Sequence, residues 1–318
     1  MIVVSNANRV VFPDIGRTKG DVVAYYERIA PRLLPYVLDR PLSIRRYPKG
    51  LAGPGFFQKN VPAHYPETIG RFAVPRSAEA SKKHSRTGKD APADVTVYPV
   101  VHEAAHLPYL ANQGAIELHV PMARVSDPAR PDRIVIDLDP PPGREAAARR
   151  AAHLVRDKLA ELGLATVPVA TGSKGYHVVA AIVPREAGDA IAVATQKLAA
   201  LLCASHPDEL TIAFRTARRG DRVFVDWLRN NPGATVIAPY SLRAKPRASV
   251  AAPVRWEELD GTAPDAFTID DAPRLLERAD PLAELAASPQ DAAPFLAAVG
   301  VQWERSGLVL ETFDRFRS

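Results

Sequence analysis

Two aspartates one residue apart, Asp137 and Asp139, end the apolar run Arg133-Ile134-Val135-Ile136-Asp137-Leu138-Asp139-Pro140. In a strand, side chains at i and i+2 share a face, so both carboxylates meet the same space. Like charges held that close repel unless a cation or a shared proton lies between them. Hard divalent ions such as Mg²⁺ and Mn²⁺ take oxygen ligands, usually a few carboxylates together with substrate phosphates and water. The pair therefore points to metal-dependent phosphoryl chemistry. Taken alone, it also fits a strand running into the acidic, proline-punctuated loop Asp139-Pro140-Pro141-Pro142-Gly143.

A third carboxylate, Asp226, lies in Val223-Phe224-Val225-Asp226-Trp227, the other strand-like apolar run with an embedded acid. Three carboxylates from two neighbouring strands would form a cradle for two metal ions. The alternatives are that Asp226 pairs with Arg229 or caps a turn. The segment Gly172-Ser173-Lys174-Gly175-Tyr176-His177 has glycines that permit positive φ and leave N–H groups free, as phosphate-holding loops do. Ser173 and Lys174 would add a hydroxyl and a cation. The G-x-x-x-x-G-K spacing is missing, which disfavours a generic ATPase, and the segment also fits an ordinary hairpin turn.

Basic residues come from distant parts of the chain, among them Arg9, Lys19, Arg45, Arg46, Lys59, Arg218, Arg219 and Arg243. Several adjoin aromatics such as Tyr47, Phe56, Phe57 and Tyr240, the mix expected of phosphate contacts beside base-stacking platforms. His119 follows Glu117 with strand alternation.

Positioning these groups requires strands, and the pattern provides them at Pro41 to Tyr47, Val95 to Val100, Ala115 to His119, Arg133 to Asp137, Thr166 to Ala170, His177 to Val183, Arg222 to Leu228 and Thr235 to Ser241. Helices are expected over Asp21 to Leu38, Leu107 to Asn112, Arg144 to Leu162 with Gly163 as its cap, and Ala190 to Cys203. Short helices follow Pro253. Hairpins beside helices predict α+β layers rather than a doubly wound sheet. Arg76 to Lys89, with Lys82, Lys83 and Arg86, reads as a basic surface loop.

The chain has 318 residues, 47% hydrophobic and 24% charged, with net charge +5, which fits a folded protein that can bind nucleic acid. A single cysteine, Cys203, excludes an intrachain disulfide framework and a cysteine-rich zinc site, and fits a reducing cytoplasm. No apolar stretch resembles a membrane span, and the start lacks a signal-peptide pattern.

Ile134 to Pro140, Gly172 to His177, Val223 to Trp227 and Ala238-Pro239-Tyr240-Ser241-Leu242-Arg243 stand in an order and approximate spacing that resembles the polymerase domain of bacterial ATP-dependent DNA ligase D, of the archaeo-eukaryotic primase superfamily. Gly55 to Lys59 and Asn112 to His119 strengthen the match, which runs from about residue 5 to 285. The resemblance implies an α+β primase-like fold: an RRM-like catalytic sheet, a second small sheet and flanking helices. It places a catalytic domain at 1–290 and a C-terminal helical extension or tail at 291–318. It implies nucleotidyl transfer with Mn²⁺ or Mg²⁺, NTP and dNTP substrates with ribonucleotides preferred, and extension across short gaps and broken ends. Asp137, Asp139 and Asp226 would hold two ions. Ser173, Lys174, His177, His119 and Arg243 would hold the triphosphate. Phe56 and Phe57 would stack at the template bend beside Lys59, with Arg46, Arg218 and Arg219 as further DNA contacts. Arg9 and Lys19 would grip a gap's 5′-phosphate, a sensible target for a two-point cationic clamp.

Two departures from the family pattern stand out. A basic residue often precedes the Ala-Pro-Tyr-Ser strand, but here the stretch is Asn231-Pro232-Gly233-Ala234-Thr235. The Arg76–Lys89 loop is also longer, and an inserted basic loop with Lys82, Lys83 and Arg86 would brace a gapped duplex. No K-x-D-G ligase signature and no His-rich nuclease domain occurs, so the expectation is a stand-alone polymerase beside a separate ligase, or an excised domain. The resulting expectation is a monomeric, cytoplasmic, nucleoid-associated DNA-repair polymerase acting on 5′-phosphorylated gaps or ends. The alternatives are a partner of Ku and ligase D in end joining, a non-catalytic nucleic-acid-binding module, and a metal-dependent phosphohydrolase.

Overall fold

The computed structural model describes residues 3–75 and 94–310. A short antiparallel pair, β1 (Val10–Phe12) and β2 (Arg17–Thr18), leads into helix α1 (Lys19–Val37). Strands β3 (Ser43–Arg46), β4 (Phe56–Gln58), β5 (Gly70–Pro75) and β6 (Val95–Val100) come next. Helix α2 (His106–Asn112) is followed by β7 (Ala115–Val120), the hairpin β8 (Ala123–Arg124) and β9 (Asp127–Pro131), and β10 (Arg133–Asp139). Helix α3 (Glu145–Glu161), strands β11 (Val167–Ala170) and β12 (Tyr176–Ala181), and helix α4 (Gly188–Ser205) form the middle of the chain. Strands β13 (Leu210–Thr211), β14 (Val223–Asp226), β15 (Val236–Ile237) and β16 (Ala252–Pro253) precede helices α5 (Ala272–Glu277), α6 (Pro281–Ala286) and α7 (Ala293–Ser306).

Two sheets organise these elements. The larger runs β13-β14-β10-β12-β11-β16, antiparallel except for β13 beside β14, and the smaller runs β15-β7-β3-β4, antiparallel throughout. The alternation in β10 sorts its residues: Ile134, Ile136 and Leu138 are buried, on the face opposite Asp137 and Asp139. Helix α3 packs on this sheet through Ala148, Ala151, Ala152, Val155 and Leu159, the alanines allowing close approach. Helices α1 and α2 contact β7 of the smaller sheet, and α7 lies on α4 with Phe295 and Val299 fully buried.

Local signals fix the helix ends. Helix α1 starts at Lys19, two residues before the sequence pattern placed it, because Thr18 and Asp21 form a reciprocal capping box. Helix α3 closes as expected at Gly163: at φ +87°, its N–H reaches Ala160 O and the next N–H reaches Leu159 O. The strand expected over Thr235 to Ser241 is shorter. It keeps only Val236–Ile237, because Pro239 has no N–H for a ladder and Tyr240 turns to φ +66°. Strands β4 and β5 were not foreseen. Among the described residues no helix is long and apolar enough to cross a membrane.

Candidate active site

Register, rather than proximity in sequence, assembles the acidic centre. Asp137 on β10 faces Asp226 on β14 across one ladder and His177 on β12 across the other. Partners directly opposite one another project to the same face, so Asp226, Asp137 and His177 form a row across three strands. Asp139 stands two residues along and opposite Phe224. The turn after β14 is pinned by Asn230, which accepts from Val135 N–H at 2.9 Å and donates to Val135 O and Trp227 O at 2.7 and 3.0 Å.

Both alternatives considered for Asp226 occur together. Its Oδ1 accepts the Leu228 N–H at 3.0 Å, and its Oδ2 lies 2.9 Å from an Arg229 terminal nitrogen. Arg229 Nε donates to Asp137 Oδ2 at 3.2 Å, and Lys174 Nζ lies 3.4 Å from Asp139. Protein cations thus hold all three carboxylates. Burial pushes Asp137 up to about 6, with repulsion from Asp139 adding to it and Arg229 opposing it. Burial also raises Asp226 to about 6, again against the pull of Arg229.

Among the described residues no set of three acidic, histidine or cysteine side chains is closed into coordination geometry. The donor chemistry nevertheless fits hard divalent ions. The set is three carboxylates on one sheet face, hard oxygen donors of the kind such ions take.

The 171–175 loop is folded by its glycines. Gly172 is at φ +67°, and a Cβ there would lie 2.7 Å from the Arg243 side chain and 2.8 Å from the Val250 backbone. Thr171 closes the loop on Gly175 O through its N–H at 3.2 Å and its hydroxyl at 2.7 Å. Ser173 and Lys174 are thereby brought to the cleft that Asp137, Asp139 and His177 also line.

The smaller sheet forms the facing wall. Its row Phe57–Arg45–Glu117 runs across β4, β3 and β7. Glu117 is buried, accepts the Ala244 N–H at 2.9 Å, and contacts His119 Nε2 at 2.9 Å and Arg243 Nε at 3.3 Å. Burial alone would raise Glu117, but the His119 hydrogen bond and the Arg243 charge outweigh it and hold the carboxyl at about 2. Burial lowers His119 although Glu117 opposes it. His177 falls to about 3 through burial, with Arg229 and Arg243 adding to the effect. Both rings are therefore neutral near pH 7 in this state. Glu117 and Arg229 are the site groups to which the sequence assigned no catalytic or binding role, Arg229 standing there only as a possible partner of Asp226. Their signals were the Glu-x-His alternation and the i, i+3 spacing from Asp226.

The remaining expected residues divide by location. Phe57 meets the His119 ring edge-on at 5.3 Å between centroids, while Phe56 and Phe57 are both about half exposed. Arg45 lies 5.7 Å from the Phe57 ring and Arg46 the same distance from Phe56, so cations and aromatics alternate as the sequence suggested. Arg46 also bonds Gln113 O and Gln58, and Lys59 is exposed just beyond. Arg9 and Lys19 meet at the start of α1, where Lys19 Nζ donates to Ser5 O and Ser5 Oγ at 2.7 and 2.8 Å. Arg218 is exposed. Arg219 lies 3.8 Å from the Phe224 ring centroid and donates to Ala213 O and Phe214 O, so its guanidinium is largely committed within the fold. Lys82, Lys83 and Arg86 lie outside the described residues.

Residues 18–282 match the family described as LigD, primase-polymerase domain. The multifunctional non-homologous end joining DNA repair protein LigD of Mycobacterium tuberculosis is 34% identical over 292 residues, covering 89% of this chain and 36% of that protein. The bifunctional non-homologous end joining protein LigD of Bacillus subtilis is 29% identical over 291 residues, covering 90% of this chain and 44% of that protein. The chain thus spans less than half the length of these relatives. The solved polymerase domain of Mycobacterium tuberculosis ligase D in complex with DNA superposes with a TM-score of 0.80 at 33% identity, covering 91% of this chain and 99% of that one. The match over residues 18–282, together with the shared α+β fold, places this chain in the LigD primase-polymerase domain family, nucleotidyltransferases of the archaeo-eukaryotic primase type.

Proposed function

We propose that this chain is a template-directed primase-polymerase that adds nucleotides, ribonucleotides by preference, to fill short 5′-phosphorylated gaps or broken ends during DNA repair. The observation that carries the reading is that Asp137, paired with Asp226 across β10 and β14, lines with Asp139 a cleft shared with Ser173, Lys174, His119 and Arg243. Asp137, Asp139 and Asp226 would hold two Mn²⁺ or Mg²⁺ ions, which supply activation of the primer 3′-hydroxyl and neutralisation of the triphosphate.

The chain's own groups do the positioning. Ser173 and Lys174 reach the phosphates from the 171–175 loop, and Arg243 does so from the other wall. Glu117 orients His119, leaving the ring's other nitrogen for the nucleotide. His177 stays neutral and donates or accepts a hydrogen bond without adding charge. The cleft measures about 210 Å³, below the roughly 300–1,000 Å³ that encloses a drug-sized ligand. It therefore suits the triphosphate, with base and template extending onto Phe57 and Phe56. Arg9 and Lys19 receive the 5′-phosphate beyond the gap, and Lys59, Arg46 and Arg218 follow the backbone. Residues 1–290 form the catalytic domain in this reading, and 291–318 a C-terminal extension beginning with α7.

The relatives are named for non-homologous end joining, which favours that pathway over excision-repair gap filling; Ku and an ATP-dependent ligase are the partners this reading proposes. One assay tests the shared chemistry: a gapped duplex with a 5′-phosphate, NTP or dNTP, and Mn²⁺. Wild type extends the primer as the template directs, and Asp137→Ala/Asp139→Ala does not. Absence of template-dependent extension by wild type overturns the reading. Comparing gapped duplexes with blunt or overhanging ends, with and without Ku, separates the two pathways.

A further inference from the structure

Arg229 occupies the space between two carboxylates that metal ions would need. Its Nε lies 3.2 Å from Asp137 Oδ2, and a terminal nitrogen lies 2.9 Å from Asp226 Oδ2. The remaining oxygens also face partners: Asp137 Oδ1 is 3.6 Å from His177 Nε2, and Asp226 Oδ1 takes the Leu228 N–H. A planar guanidinium with donors in a fixed fork can span two carboxylates in a way an ammonium cannot. A divalent ion that draws on those Oδ2 atoms competes with Arg229 for them.

The backbone under Arg229 does not have to move for that exchange. Its neighbour Asn230 is pinned to Val135 by hydrogen bonds in both directions, so the change is confined to a long, flexible side chain. The space open to that side chain is the cleft itself, which Arg229 lines with Ser173, Lys174 and Arg243. Beside bound divalent ions, the guanidinium would feel repulsion from the ions and attraction to a triphosphate. The connection from Trp227 to Thr235 contains no other basic residue.

We propose that Arg229 is a two-position cation, neutralising Asp137 and Asp226 until divalent ions take them and then turning to the phosphates of the incoming nucleotide. The inference rests on the two-ion polymerase reading above. It assigns Arg229 opposite effects on the two ligands: it competes with the metal and assists the nucleotide.

The test measures both affinities without DNA or turnover. Mn²⁺ binding to wild type, Arg229→Gln and Arg229→Lys is followed by electron paramagnetic resonance. Binding of a non-hydrolysable NTP analogue is then measured at saturating Mn²⁺, with circular dichroism melting as a folding check. Arg229→Gln is expected to bind Mn²⁺ about tenfold more tightly and the analogue about tenfold more weakly, the scale of one charge-assisted hydrogen bond. Arg229→Lys, which keeps the charge but loses the fork, falls between on both counts. Unchanged or weaker Mn²⁺ binding by a folded Arg229→Gln overturns the proposal, and unchanged analogue binding overturns its second position. If wild type itself binds no Mn²⁺, the two-ion reading fails instead.

Discussion

Gly175 lies so close to the carbonyl oxygen of Leu138 that a Cβ on Gly175 would overlap it. This contact seats the 171–175 loop on the end of β10, beside Asp139. Gly175→Ala must push the loop off that strand. We expect a loss of about 1–3 kcal/mol in stability by urea denaturation and a raised KM for nucleotide. Gly261→Ala, with no atom near the added methyl, is the control and should stay within about 0.5 kcal/mol. Equal behaviour of the two variants would show that the close approach carries no constraint.

Glu117 connects the nucleotide wall to pH. Its carboxyl is held at about 2 against an ordinary 4.5, so the folded state favours its charged form. The stability this brings is complete above about pH 4.5 and is lost as pH falls through about 2. Glu117→Gln leaves the Arg243 charge and the His119 hydrogen bond without their carboxylate. It should cost about 1–3 kcal/mol at pH 7, the gap from wild type closing below pH 4. Denaturation curves from pH 7 to 3 check this, and a gap unchanged at pH 3 would count against it.

Metal binding should show the opposite direction of shift. Asp137 and Asp226 are raised to about 6 by burial, so protons compete with a divalent ion for both well above the usual carboxylate range. Mn²⁺ affinity is expected to be flat above about pH 7 and to fall by about tenfold or more between pH 6.5 and 5. Calorimetric titration across that range measures it. Affinity that holds constant to pH 5 would place the ions on other ligands.

Lys19 offers a test of the gap reading. Its ammonium is anchored by Ser5 and stands near Arg9 at the capped start of α1. Lys19→Ala should weaken binding to a 5′-phosphorylated gap by about tenfold and to the unphosphorylated gap far less. Fluorescence anisotropy on the two duplexes distinguishes this from a general backbone contact, which would lose equally on both.

Periodicity made most of the scaffold legible. The i, i+2 spacing placed Asp137 and Asp139 on one face, and the embedded acid in Val223–Trp227 marked Asp226, because strand alternation is a local property. The facing wall was harder to read. Row Phe57–Arg45–Glu117 depends on β4, β3 and β7 pairing across distant segments, and β4 has only three residues. Arg229 was visible as a partner for Asp226, but its reach to Asp137 exists only once β14 lies beside β10. Arg219 read as a free DNA contact, yet it stacks on Phe224, a ring whose orientation the β14 register decides.

The register that sets Asp137 opposite Asp226 has a consequence for how such a chain tolerates change. The two residues are matched by ladder phase and not by the length of chain between them, so the connections through α3, α4 and β13 can grow or shrink without disturbing the pair. Deleting one residue inside β14, by contrast, would turn Asp226 to the helix-covered face and dismantle the row. Insertions should therefore accumulate in the connections, while the strands admit substitution but not a change of length.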